Sequence, residues 1–200
     1  MKTVSSYIYN GKAFRTRRDA RWAAFFDACN EKWKYMPKAA YLGRGAFYQP
    51  TFELEDPVVN HSAYGTSPDF CVTVTGRMDD QTAMLIRRFV ASPAARLDDM
   101  NLLSEQVLVA GNFPTGKTVS EIMDAMKQKF QDRHPGWPGY YSFESIDGKY
   151  DMAFPGLNYR GKLMIFGTDP GYLGDMDWKA TEEAYLAAQN VQLEQVIRNG

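Results

Sequence analysis

Residues 14–33, FRTRRDARWAAFFDACNEKW, and residues 69–76, DFCVTVTG, decide the expected architecture. In the first stretch Trp22, Phe25, Phe26 and Cys29 recur at the i, i+3, i+4, i+7 spacing of a single helical face. Thr16 stands where an N-cap belongs, and Asp19 three residues later completes a capping-box-like pair. The second stretch has the β-branched density of a strand.

Working outward, YIYNGKAF (7–14) reads as a hairpin arm turning at Asn10-Gly11. WKYMP (33–37) and GAFYQPTFEL (45–54) are short apolar stretches broken by turn residues. A helix is expected from Asp79 through Ala91, then loop and an acidic turn over 92–104, then a short buried strand at EQVLVAG (105–111). VSEIMDAMKQKF (119–130) places Val119, Ile122, Met123, Met126 and Phe130 on one helical face, a core stripe.

From Gln131 to Gly174 the composition shifts to Gly, Pro and aromatics, with strand-like pieces at YYSFES, KYDMAF and KLMIFG, so 131–174 is expected as a β-rich insertion. Its Trp137, Tyr140, Tyr141, Tyr159 and Tyr172 either pack the insertion down or form a recognition surface. Helix returns from Trp178 to the C-terminus, with Thr181 as its expected cap. The whole, 1–200, reads as a single α/β domain.

With 44% hydrophobic and 24% charged residues, the chain has enough apolar material for a core, which excludes a wholly disordered protein. No apolar run approaches the roughly 18 residues of a membrane span, and the opening MKTVSSYIYNGK lacks a signal-peptide core. A cytoplasmic protein with no membrane partner is expected. Cys29 and Cys71 are too few for a disulfide framework or a cysteine zinc site and read as buried thiols. His61 and His134 have no metal-ligand spacing around them, so neither a metal nor another cofactor is expected.

The net charge of −1 hides an asymmetry: residues 1–50 carry ten Lys/Arg against three Asp/Glu, and residues 51–200 thirteen against twenty-one. Lys12, Arg15, Arg17, Arg18 and Arg21 concentrate at the first helix. Such a cluster either follows phosphates or docks on the chain's own acidic remainder.

The element order and the segment YNGKAFRTRRDARWAAFFDACNEKWKYMPKAAYLGRGAFYQPTFEL together resemble the opening of a phage and actinobacterial group in the restriction-endonuclease-like, or PD-(D/E)XK, nuclease superfamily. DFCVTVTGRMD, VLVAGNFP and TEEAYLAAQNVQLEQ resemble its later elements more weakly, and residues 131–174 are left uncovered. The resemblance implies a central mixed sheet flanked by helices. It also implies a site in which acidic residues hold Mg²⁺ and a lysine helps to activate water.

At the matching positions this chain has Thr51 for the strand aspartate, Thr73 and Thr75 for the E-x-K pair, and Asp19 for the helix glutamate. Threonine hydroxyls are poor ligands for a hard divalent cation. The resemblance therefore implies no catalytic residue at these lapsed positions, and a pseudoenzyme of phage type. Such a protein would act by binding nucleic acid, through Lys12 and the four arginines, or a host defence protein such as a CRISPR effector or a restriction enzyme. A surviving nuclease with relocated carboxylates would use Asp69 of Pro68-Asp69-Phe70, or Glu53, Glu55 and Asp56.

A further alternative is nucleotide binding. Gly111-Asn112-Phe113-Pro114-Thr115-Gly116-Lys117-Thr118 matches the P-loop pattern G-x-x-x-x-G-K-S/T between an apolar strand and a helical stripe. Gly111, Gly116, Lys117 and Thr118 would then cradle phosphates and their Mg²⁺. Against it, no later strand ends directly in the aspartate a Walker B strand requires; Asp169, two residues past Gly167, comes nearest.

Overall fold

In a computed structural model the described residues are 3–55, 58–59, 70–76, 80–90, 107–131, 141–143, 150–167 and 173–199. Chain order begins with a hairpin, β1 (Thr3–Tyr9) and β2 (Lys12–Phe14), turning through Asn10 and Gly11 with φ of 48° and 72°. Asn and Gly are the residues that accept such a turn at least cost.

Helix α1 (Arg17–Ala28) follows as its periodicity predicts. Thr16 Oγ1 accepts from the Asp19 backbone N–H at 3.1 Å, and the Thr16 hydroxyl donates to Asp19 Oδ1 at 2.7 Å. Trp22, Phe25, Phe26 and Cys29 are all buried.

The central sheet is built from β3 (Trp33–Tyr35), β6 (Phe52–Leu54), β7 (Val58–Val59), β8 (Phe70–Val74), β9 (Val107–Ala110), β10 (Tyr141–Phe143), β11 (Tyr150–Leu157) and β12 (Leu163–Gly167). Their order across it is β3-β6-β8-β9-β10-β11-β12-β7. The β8–β9 and β12–β7 pairs are parallel and the rest antiparallel, so the sheet is mixed. Between β8 and β9 runs α2 (Asp80–Val90), the long crossover a parallel pair requires. The described strands of the expected insertion, β10 to β12, continue the central sheet.

Two faces of this sheet carry different partners. Phe52, Leu54, Val72, Leu108 and Ala110 pack with the apolar stripe of α1. Val107, Val109 and Cys71, alternate residues along their strands, pack instead with Ile86 and Phe89 of α2 and with Tyr48. Tyr48 belongs to a small hairpin, β4 (Ala40–Tyr41) and β5 (Phe47–Tyr48), inserted between β3 and β6.

Helix α3 (Val119–Gln131) adds Val119 and Ile122 to the larger core. Met123 packs against that core, and the side chains of Met126 and Phe130 lie outside the described set.

The C-terminal region departs from expectation in two ways. Helix α4 spans Trp178–Asn190 and is capped by Asp177, whose Oδ1 accepts from the Ala180 N–H at 3.0 Å. Thr181, the expected cap, is buried inside the helix and accepts from the Leu157 N–H of β11 at 2.9 Å. The helix also stops short of the C-terminus. A strand, β13 (Glu194–Asn199), follows and pairs antiparallel with β1, from Thr3 opposite Asn199 to Ile8 opposite Glu194. Tyr185 ties α4 to α1 and β11: its ring lies 4.3 Å from that of Phe25, and its hydroxyl donates to the Pro155 carbonyl at 2.8 Å.

The protein is thus mixed α/β, with four helices among the described residues. None of these helices is long and apolar enough to cross a membrane.

Candidate nucleic-acid interface

One end of the central sheet brings together the first turns of α1, the loop after β9 and the adjoining ends of β6 and β8. The Arg18 guanidinium donates from Nη1 to Asn112 Oδ1 at 2.8 Å, and Trp22 Nε1 donates to the Gly111 carbonyl at 3.1 Å. These bonds hold the first turns of α1 over the loop that leaves β9. The start of β6 reaches the same end, where Thr51 Oγ1 accepts from the Val74 N–H at 2.9 Å. Thr75 N–H donates to the Ala110 carbonyl at 2.8 Å.

Three of the four positions that the resemblance marks, Asp19, Thr51 and Thr73, have buried side chains that are hydrogen-bonded within the fold. Asp19 is buried and uses its second oxygen to accept from the Tyr35 hydroxyl at 2.8 Å, while that hydroxyl accepts from the Arg15 N–H at 2.9 Å. Burial, aided by the Asp19 charge, raises the Tyr35 phenol above its ordinary pKa. Thr51 and Thr73 are buried, and the Thr73 hydroxyl is hydrogen-bonded to the Tyr48 hydroxyl in the smaller core. Tyr48 also has its pKa raised, chiefly by burial.

Glu53 and Glu55 lie beside Lys34, at 2.7 and 3.8 Å, as a surface ion-pair group. No group of three or more His, Cys, Asp or Glu near enough to share a metal occurs among the described residues. Asp56, His61, Asp69, His134, Trp137, Tyr140 and Tyr172 lie outside the described residues, as does the side chain of Tyr141.

The arginines divide by environment. Arg15 and Arg17 are exposed, whereas Arg18 and Arg21 are half-buried. The Nε atoms of Arg18 and Arg21 are buried with no hydrogen-bond partner among the described residues. Burial, and then the Arg17 charge one turn away, lower the pKa of Arg21. Among the described residues none of the four forms an ion pair with a carboxylate. Lys12 is set apart on β2, its Nζ 4.2 Å from the centre of the Trp33 ring.

The P-loop-like segment is organised as a helix cap. Glu121 Oε2 accepts from the backbone N–H groups of Lys117 and Thr118 at 2.7 and 3.4 Å, and Thr118 Oγ1 accepts from the Glu121 N–H at 3.2 Å. These amide bonds hold the Glu121 carboxyl below its ordinary pKa. The Val119 N–H goes to Glu182 Oε1 at 2.9 Å, and the Gly116 carbonyl accepts from Gln189 at 2.9 Å. Carboxylates of the chain therefore take the amides that a phosphate would need. Gly116 is also crowded, since a Cβ there would lie 2.8 Å from the Ile122 nitrogen.

No family model, no curated protein and no solved structure matches the chain.

Tyr35, Tyr48 and Asn112 were not singled out by sequence. Only Asn112 carried a signal, as the second residue of the P-loop-like string.

Proposed function

We propose that the chain is a restriction-endonuclease-like fold that binds nucleic acid through the first turns of α1 and does not cut it. The observation that carries this reading is the Arg17–Arg21 pair. Two like charges one turn apart, one of them partly desolvated, stand with no carboxylate partner among the described residues. Such a pair weakens a helix by about 0.2–0.5 kcal/mol, and a phosphate between the two guanidinium groups reverses that sign. Arg15 and Arg17 are exposed alongside, so a phosphate backbone has a basic track to follow.

The absence of cutting follows from the substituted positions. Thr51, Thr73 and Thr75 offer neutral oxygens, and Asp19 is engaged with Thr16 and Tyr35. The test is binding of labelled DNA and RNA as a function of salt. Affinity should fall steeply with salt, and Arg17→Ala with Arg21→Ala should lower the salt slope by about 2 while weakening all sequences alike. Unchanged binding in the double variant, or cutting that depends on Mg²⁺ or Mn²⁺, would overturn the reading.

A further inference from the structure

On the sheet face opposite α1, the β4–β5 hairpin carries an exposed aromatic pair. Tyr41 and Phe47 are directly paired, 56% and 61% exposed, with ring centroids 5.1 Å apart and planes at 48°. Alternation along the strands sends their neighbours the other way: Tyr48 is buried, and Ala40 packs against the smaller core.

The tip between them, Leu42–Ala46, runs through three consecutive left-handed residues: Gly43 (φ 79°), Arg44 (φ 51°) and Gly45 (φ 73°). Arg44 adopts a conformation that costs a residue with a Cβ more than it costs glycine, and it is exposed. A Cβ at Gly43 or Gly45 would meet nothing within 4 Å, so the tip is open on its glycine sides.

The hairpin is nevertheless held in place. Arg88 of α2 donates from Nη2 to the Leu42 and Gly43 carbonyls at 2.9 and 3.1 Å, and Gly45 N–H donates to the Tyr41 hydroxyl at 3.3 Å. At the root, the Gln49 side chain donates to the Pro37 carbonyl at 2.8 Å. The ordering cost of presenting the two rings is therefore largely met within the fold, which favours ligand binding.

We infer that this hairpin is a stacking platform for unpaired bases of a single-stranded nucleic acid, with Arg44 and Lys38 taking the flanking phosphates. The inference rests on the proposed function and names the form of nucleic acid. Charge selects this occupant over a protein surface. Residues 36–52 carry two cations, Lys38 and Arg44, and no acid, and both cations are exposed. Aromatic rings flanked by cations are how proteins hold single strands without reading their sequence.

The experiment uses the full chain with fluorescein-labelled oligothymidylate and a labelled DNA duplex of equal length, read by anisotropy. Tyr41→Ala with Phe47→Ala should weaken oligothymidylate binding by at least about tenfold and leave duplex binding unchanged, since base stacking supplies the difference. Tyr41→Phe keeps the ring and gives up only the hydroxyl that accepts from the Gly45 N–H, so it should retain most of the oligothymidylate affinity. Both rings lie outside the two cores, so the double variant should keep a cooperative melt only slightly below that of the wild type, which checks that it folds.

Equal oligothymidylate affinity in wild type and double variant, with duplex binding still sensitive to Arg17 and Arg21, would overturn this inference alone. Failure of every nucleic acid to bind would overturn both readings.

Discussion

The guanidinium of Arg18 fills the space that a side chain at Gly76 would need: a Cβ on Gly76 would fall 1.6 Å from Arg18 Nη1 and 2.5 Å from Cζ. Glycine after β8 therefore lets α1 lay its arginine across the sheet end and reach Asn112. Gly76→Ala should push the guanidinium aside and break its hydrogen bond to Asn112, at a cost of about 1 kcal/mol in urea unfolding. Because both changes break the same bond, Gly76→Ala and Asn112→Ala together should cost less than the sum of the two; strict additivity would show the residues to be independent.

Asp19 presents a choice between a helix cap and a metal ligand. Asp19→Ala removes the acceptor of both the Thr16 and Tyr35 hydroxyls, and should destabilise the protein by about 1–2 kcal/mol. Addition of Mg²⁺ or Mn²⁺ should shift the melting temperature of wild type and variant equally. A metal-dependent stabilisation found only in the wild type would assign Asp19 to metal binding.

The Tyr48–Thr73 hydroxyl pair is buried, so each partner protects the other from an unmet desolvation cost. Tyr48→Phe or Thr73→Val alone should cost about 1–3 kcal/mol, and the two together little more than either. Denaturant midpoints of the four proteins in that cycle decide the matter.

Glu121 gives a pH signature. Its folded pKa lies below the ordinary 4.5, so its charged cap contributes stability that is complete above that value and is lost as pH falls through the folded pKa. The melting-temperature gap between wild type and Glu121→Gln should be constant at neutral pH and close as the solution is acidified below about pH 4.5. Mg²⁺ with ATP should leave the wild-type melting temperature unmoved. A nucleotide-dependent rise that vanishes in Lys117→Ala would restore the phosphate-loop reading.

Cys29 is 3% exposed, and burial drives its thiol pKa upward. In Cys71→Ser, a thiol-specific reagent should therefore report almost no reaction at pH 8 until denaturant is added. Rapid native labelling would place Cys29 at an accessible surface.

Helix α1 was legible because its whole signal is local: a cap, a partner three residues on and an apolar stripe of helical period all lie within one short stretch. The close of the chain was misread for the opposite reason. GDMDWKATEE offers both Asp177 and Thr181 as caps, and Thr181 is followed by acidic residues, as a cap often is. What distinguishes them is the demand of the Leu157 N–H for a hydroxyl, a contact from a distant strand. Likewise QLEQVIRN becomes a strand because β1 supplies its hydrogen bonds, a partner at the other end of the sequence. At the candidate interface the sequence marked the arginines, but their tethers depend on tertiary contacts with Asn112, Gly76 and Tyr35. The exposed rings of Tyr41 and Phe47 read as ordinary apolar residues until the facing of the hairpin is known.

The β1–β13 pairing has a consequence for how the protein is made. Strand β1 and its partner β13 are separated by almost the whole of this sequence, so β1 is synthesised long before the strand that covers its edge. Phe25 likewise meets Tyr185 only once α4 has been made. The open edge of β1 and the part of α1 that α4 covers thus wait for β13 and α4, with a long loop to close before their contacts form. Ribosome-bound chains shorter than about residue 190 should need chaperone cover, and closure of this seam should govern the refolding rate.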